Sequence, residues 1–322
     1  MTNTQRDPRM MTRNWNTSSV HKFKNLRMSS QLRDPIAGAA IRLLLLSAVA
    51  SVAAAGRPLL GQDEQSPTWL VRPSITRSQQ PDWVTPLITA SANLEEAVIY
   101  DISRKLPPNG VPLVTAGSNR GIQFVPFGTL QITFATTPYL FHYNTHLDNG
   151  FGDTQFGFKY RIISGNEHHG NYALSFASGA SVPTGSYQNG QHSGTITPTV
   201  LGEKAWGPFD VQSTIGIQLP VSDTHVTGQT YTSNTAFQYR LAKTLWPELE
   251  VNFLGNKGGP LDGKKENFLT PGLFIGRFPL TPYMGLTFGI GMQIATTSYH
   301  TYDHSLLFSV RLPLQSPGVR DR

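Results

Sequence analysis

The chain has 322 residues, no cysteine and a formal charge of +6, and only 14% of its residues are charged, against roughly 25% in an ordinary soluble domain. That composition excludes a disulfide framework, thiolate metal sites and cysteine nucleophiles, and 39% hydrophobic residues over this length exclude wholesale disorder. The charge raises nucleic-acid binding, but its distribution removes it: residues 1–62 hold nine basic and two acidic residues, net +7, while 63–322 hold 17 basic and 18 acidic residues, net −1, with no basic stripe for phosphates.

Residues 1–62 read as a leader. Basic residues run up to Arg42, an uninterrupted apolar stretch covers Leu43–Ala55, and small residues follow, with cleavage expected near Ala53–Ala55 or after Gln62. Charge, apolar stretch and small-residue exit are the order of a cleavable export signal. The alternatives are a membrane anchor or a buried helix, but the run is shorter than the about 20 residues of a span. Met1 and Met28 both fit as the start. Residues 63–88 are rich in Pro, Ser, Gln and Thr and lack periodicity; they read as a mobile periplasmic lead-in, with Trp69 and Trp83 as its oddities.

From there the pattern is period two, the mark of strands with two different faces. In Met284–Ile294, large apolar residues alternate with Gly, Thr, Gly, Gly and Gln, and Phe156–Ile162 and Val211–Leu219 repeat the pattern. Strands are expected at 89–103, 112–125, 129–143, 151–164, 171–183, 195–206, 209–221, 230–241, 245–255, 266–278, 283–295 and 303–314. The first two are the least regular, since Leu94-Glu95-Glu96-Ala97 interrupts the alternation and Pro112 and Pro126 crowd the second. Alternation also fits a soluble sandwich or a lipocalin-like barrel. Two features favour a membrane wall. These strands are long, whereas soluble strands usually run about 5–6 residues and a tilted membrane strand needs about 9–11. The connections also alternate between short turns and longer loops, as at the periplasmic and external ends of outer-membrane barrels. The expected fold is therefore all-β, a single antiparallel transmembrane β-barrel of about 12 strands over 89–314, followed by a polar tail, 315–322. Tyr139, Phe141, Tyr143, Phe151, Trp206, Phe209, Trp246, Phe278 and Tyr283 fall near strand ends, where aromatic girdles occur, though aromatics are also common in strands generally.

Chemistry-bearing motifs are sparse. His300 and His304, with Asp303, have H-x-x-x-H spacing but span a loop rather than a helix, so solvated loop histidines are expected rather than zinc ligands. His168-His169 falls in a turn, and His142 and His146 straddle a strand end. The adjacent pairs His192-Ser193 and His304-Ser305 point to opposite faces if extended. No G-x-S-x-G occurs, and Gly255–Gly263 lacks the ending of a phosphate loop. Neither enzymatic activity nor a metal or cofactor is expected. The stronger clue is charge on the minor face: Lys159, Arg161, Arg240, Arg277 and Arg311 against Glu248 and Glu250. Such residues either line a pore and set its ion preference or pair with one another and fill the interior, as in small barrels. Arg277 is the ambiguous one, since Phe274-Phe278 and Leu273-Ile275 compete for the outer face.

Gly150-Phe-Gly152-Asp153-Thr-Gln-Phe-Gly157-Phe-Lys159-Tyr160-Arg161 resembles a G-x-G-D-x-x-x-G-x-K-Y-R signature, and Ser178–Gly185 resembles a small-residue strand ending in Pro183-Thr184-Gly185. Together they look like the outer-membrane channel family named for the meta-pathway of phenol degradation, with similarity over about 90–314. The resemblance implies a bacterial outer-membrane barrel for uptake of aromatic or other hydrophobic compounds. Many outer-membrane barrels end in a terminal Phe; this chain instead ends its last strand at Leu312-Pro313-Leu314. In the residues themselves, Gly150 and Gly152 suit backbone turns, Asp153 suits loop N–H groups, Gly157 leaves lumen space beside Lys159 and Arg161, and Pro183-Thr184-Gly185 stops a strand. The expected function is passive uptake of small, aromatic or hydrophobic, solutes across the outer membrane. The expected partners are membrane lipid and the solute, with no nucleic acid and with oligomeric state left open. A closed scaffolding barrel that binds a partner through its loops is the first alternative, and an interfacial lipid hydrolase the second.

Overall fold

The computed structural model describes residues 72–314 apart from 118, 119, 145, 187 and 282. The expected leader 1–62 with its expected export signal, residues 63–71 with Trp69, and the tail 315–322 lie outside the described residues. One short helix, α1 (Arg72–Ser78), precedes fifteen strand segments. These are β1 (Ala97–Leu106), β2 (Leu113–Ala116), β3 (Ile122–Phe127), β4 (Leu130–Phe134), β5 (Tyr139–His142), β6 (Gly150–Phe151), β7 (Thr154–Gly165), β8 (Tyr172–Val182), β9 (Thr195–Trp206), β10 (Phe209–Pro220), β11 (Gln229–Tyr239), β12 (Leu245–Lys257), β13 (Lys265–Thr281), β14 (Met284–Ala295) and β15 (His304–Pro313). Among the described residues no helix is long and apolar enough to cross a membrane.

The segments form one antiparallel sheet that closes on itself. β1 pairs with β15 from Ala97↔Pro313 to Leu106↔His304, consecutive strands from β7 to β15 pair with each other, and the shorter segments pair as β1 with β2 and β3, β3 with β4, β4 with β7, β2 with β5 and β5 with β6. β2 and β3 are two halves of one wall strand, as are β4 with β5 and β6 with β7: β2 continues β3 along β1, and β5 continues β4. The closed wall therefore has twelve strands. The breaks follow from the chain, because Pro138 donates no N–H to the ladder and interrupts the run from β4 into β5.

Burial decides between a soluble barrel and a membrane wall. In β10, Ile215 is 67% exposed while Gln212 is fully buried; in β14, Ile290 is 50% exposed while Gln293 is buried; in β12, Glu250 is fully buried. The outward face is apolar and the inward face polar, the reverse of a water-soluble core. In water, each such outward Ile, Leu or Phe would forgo about 1.5–3 kcal/mol of burial; hydrocarbon supplies it. Trp206, Phe209, Tyr239, Phe278 and Tyr283 are exposed at the short-turn end, and Phe141, Tyr143 and Phe151 at the loop end. Trp246 departs from the girdle expectation: it faces inward and is completely buried.

What it is buried against is the main departure from the sequence reading. The stretch expected as a periplasmic lead-in is, in its described part, α1 followed by an extended run that enters the barrel, and the strand expected at 89–103 begins only at Ala97. Residues 79–96 lie in the lumen, where Trp83, Val84 and Leu87 pack with Ala205, Trp246, Phe274 and Leu307, and Ala92 packs with Ala173 and Leu201. The wall makes room for them. A side chain at Gly291 would come within 2.4 Å of a Leu87 methyl, and one at Gly289 within 3.0 Å. The interrupted alternation at Leu94-Glu95-Glu96 is the return of this inner segment to the wall, not a strand.

Trp83→Ala removes a ring that fills the interior, a change that costs about 3–5 kcal/mol at buried positions. Because the ring belongs to the inner segment and not to the ladder, the expected outcome is new proteinase K cleavage within 79–96. The wall should keep its heat-modifiable migration in gels.

Candidate functional site

All seven charged candidates face the interior, and each contacts the inner segment or the residues that flank it. Alternation places six of them there. Arg277 needs a different device. The β13–β14 register slips between Ile275 and Phe278, a bulge in which one extra residue is left out of pairing and re-aimed. Arg277 occupies it in the left-handed region, φ 59°, where a residue with a Cβ is strained by about 1–2 kcal/mol. Its backbone N–H bonds Thr287 Oγ1 at 3.1 Å, and its guanidinium swings inward onto Asp82, with Nη1 2.7 Å from Oδ2 and Nη2 3.1 Å from Oδ1. The competition between Phe274 and Ile275 resolves accordingly: Phe274 is fully buried inside and Ile275 faces out.

The charges sort by what the inner segment's backbone offers. Guanidiniums can only donate, and they take its carbonyls. Arg240 Nη2 reaches Asp82 O at 2.7 Å, Arg277 Nη2 the same oxygen at 2.9 Å, Arg311 both Thr85 O and Pro86 O, and Arg161 Thr76 O together with the side chains of Gln79 and Gln80. Carboxyl oxygens accept, and they take its N–H groups. Glu248 accepts from Leu87 at 3.2 Å, and Glu250 from Ile88 at 2.8 Å and Thr89 at 2.7 Å. Lys159 Nζ donates to Asn93 O at 2.7 Å. The arginines also stack, Arg240 over Trp83 at 4.5 Å, Arg277 over Trp246 at 4.9 Å and Arg311 over Phe274 at 4.3 Å, so the apolar and charged parts of the interior brace each other.

Sequence reasoning missed four members of this lattice. Arg120 donates to Pro86 O and Leu87 O and pairs with Asp101 at 2.9 Å. Glu203 holds Ser91 at 3.2 Å and Asn93 at 3.0 Å. Gln131 accepts from Glu95 N, and Ser175 donates to Ala92 O. Glu203 was legible, since it continues the inward register Thr195, Thr197, Thr199, Leu201. Asp82 carried no such mark, because it lies in a segment without periodicity. Enclosure opposes ionisation of Asp82, yet the neighbouring Arg277 and Arg77 charges prevail and hold its carboxyl below the usual carboxylate range.

Most motif residues gather at the loop end, from which β7 carries Lys159 down to the inner segment. Gly150 lies in β6, Gly152 and Asp153 follow it, and Gly157, Lys159 and Tyr160 lie in β7. Asp153 accepts from the backbone N–H of Gly185 at 2.9 Å and of Gln191 at 2.8 Å, tying this region to the loop after β8. Pro183 ends β8, and Thr184 Oγ1 bonds Thr154. Gly185 is needed for approach: a Cβ there would sit 2.4 Å from Gly190. Gly150 and Gly152 likewise lack room for a side chain rather than adopting the turn conformation expected of them, since neither has a left-handed φ.

Two spaces flank the inner segment. A cavity of about 440 Å³ lies between it and the loop end, lined mainly by β7, β8 and β9. A wider recess of about 520 Å³ opens at the short-turn end beside Glu167, Asn171 and Arg240. His300 and His304 do not form a shared site: His300 Nε2 is 2.8 Å from Asp303, and its bonds to Thr297 O and Asp303 raise its pKa. Among the described residues no three His, Asp or Glu side chains gather as a metal site.

Residues 111–311 match the family model described as "Putative MetA-pathway of phenol degradation". Among solved structures, the chain is similar to an outer membrane channel from Pseudomonas putida F1, with TM-score 0.51 and 14% identity over 72% of this chain and 100% of that one. It is also similar to the NanC porin, with TM-score 0.44 and 9% identity over 67% of this chain and 99% of that one. No protein of curated function matches the chain. The likeness to the first of these is one of fold, a barrel of the outer-membrane type.

Asp82 gives the inner segment a pH dependence. Its docked pKa is lowered, so the docked state binds fewer protons than the released one. The stabilisation is complete above the free carboxylate range near pH 4 and is lost as pH falls below it. Protease resistance of residues 79–96 is expected to hold from pH 7 to 5 and decline below about pH 4. Asp82→Asn should lower the protease resistance at pH 7 and flatten its pH dependence.

Proposed function

Because this chain belongs to the family described for the MetA pathway of phenol degradation, and its own residues 79–96 occupy its lumen, we propose that it is a gated channel of the bacterial outer membrane. It passes small solutes passively, and the inner segment is the gate. The family's description makes phenol-type aromatic compounds the first solutes to try, and the leader supports export through the periplasm.

One observation carries this reading. Between residues 79 and 95 the inner segment is held to the wall by side-chain contacts, not by the ladder, which it meets at Glu96 O through the Leu314 N–H. The wall closes from β15 to β1 without it, so the segment can shift while every wall hydrogen bond stays in place. The cavities on either side of it leave little else to move. The lattice of charges is the lock: Asp82 on Arg277, Glu250 on Ile88 and Thr89, and Glu203 on Ser91 and Asn93. Side-chain hydrogen bonds contribute about 0.5–1.5 kcal/mol net each, more for charged groups, so a lock of several is firm but reversible.

The same filled interior supports a second reading, a permanently closed barrel that anchors or scaffolds. Bridging distinguishes the two. The chain has no cysteine, so Ser91→Cys with Glu203→Cys reacts alone. With a short bis-thiosulfonate spanning the two thiols in planar bilayers, conductance should fall to baseline and return on reduction. Conductance indifferent to the bridge would remove the segment as gate. A membrane that stays closed in every state, with no solute entering liposomes, would leave the scaffold reading.

A further inference from the structure

The cavity between the inner segment and the loop end has a chemistry of its own. Where β7, β8 and β9 cross it, the inward row is bare: Gly157 faces Gly179, and Gly179 faces Thr197. A Cβ built on Gly179 meets nothing within 4 Å, so the wall is recessed there by the width of a side chain. Around the recess hydroxyls and amides of Thr133, Ser181, Thr195, Thr197, Gln155 and Gln218 alternate with apolar surface that includes Ala177 and Leu201. Such a surface suits a solute with hydroxyl groups, because each lost water contact finds a replacement donor or acceptor.

One cation at the base keeps donors to spare. Lys159 has three donors; it makes a single hydrogen bond, to the neutral carbonyl of Asn93, and no carboxylate lies within ion-pair distance of it among the described residues. Of the other charges that line the cavity, Asp153 and Arg120 are fully engaged, and Glu95, like Lys159, makes a single side-chain bond. Asp153 accepts two backbone N–H groups, Arg120 holds two carbonyls and Asp101, and Glu95 accepts from Thr85 at 2.6 Å. Gln123 also lines the space.

We propose that this cavity is a binding site for a small hydroxylated organic carboxylate, its anionic group on Lys159 and its body across the Gly157–Gly179 recess. The proposal rests on the channel reading only for its purpose, as the site where solute pauses before the gate; binding itself is independent of conduction. It sets a solute class apart from plain hydrophobes, since an unsubstituted hydrophobe would strip water from the rim's hydroxyls and amides and leave them without a partner.

The test is calorimetric titration of the purified full-length barrel with glucuronate, glucose and benzoate. Glucuronate should bind at least tenfold more tightly than glucose, which lacks the carboxylate, and than benzoate, which lacks the hydroxyls. Lys159→Met should abolish the preference over glucose, and Lys159→Arg should retain it. Gly179→Val fills the recess from a position with open space before it, so the fold should be kept while glucuronate binding falls at least tenfold. Benzoate binding as tightly as glucuronate, or glucuronate binding unchanged in both Lys159→Met and Gly179→Val, would overturn the site. Binding without conduction would leave the site standing and remove the channel; conduction without binding would do the reverse.

Discussion

Backbone that lies inside a membrane barrel but outside its ladder must still pair its N–H and C=O groups, and this requirement organises the interior. Residues 79–96 cross the lumen without joining the sheet, so their polar groups depend on wall side chains. The wall supplies donors where the segment presents carbonyls, from Asp82 to Leu87, and acceptors where it presents N–H groups, from Leu87 to Thr89. The dependence runs both ways. Glu250, Gln212 and Gln238 are fully buried, and a buried charge without a partner is costly. Without the segment the wall charges would need water in its place.

This arrangement separates two kinds of stability. The wall is a closed ladder, each strand held on both sides and backed by an apolar face that lipid covers. The segment is held by side-chain hydrogen bonds and a small apolar cluster around Trp83 and Trp246. Elements with few apolar contacts and borrowed hydrogen bonds open at lower free energy than the structure around them. A gate needs that inequality, since it must move without unzipping the wall.

Much of the wall was readable before any coordinates. From β7 to β15 the period-two pattern sets both the strands and their inward faces, because every second residue of a strand must meet the same environment. It placed Arg161, Glu248, Glu250 and Arg311 inside. It failed where alternation was absent or broken. Leu94-Glu95-Glu96 looked like an irregular strand, but its irregularity belongs to a segment that is not a strand at all. Arg277 was placed inside with its face contested, since a bulge shifts the register by one residue and nothing local in Gly276-Arg277 announces it. Trp246 sits at a strand end, where a girdle aromatic and an interior aromatic look alike in one dimension. The motif was recognisable, and Asp153 does bind the loop N–H groups its residue type suggested, but its glycines serve close packing rather than turning.

The sequence by itself determined the class of the protein: a long alternating chain with apolar residues on one face and Gly, Thr, Gln and charge on the other has few solutions besides a barrel in lipid. Only the tertiary structure decided what fills the barrel. Periodicity describes an element's two faces, and residues 79–96 have none to describe. Their place follows from partners about 160 residues away, such as Glu250 for Ile88 and Thr89, and pairing across that distance is a property of the closed wall.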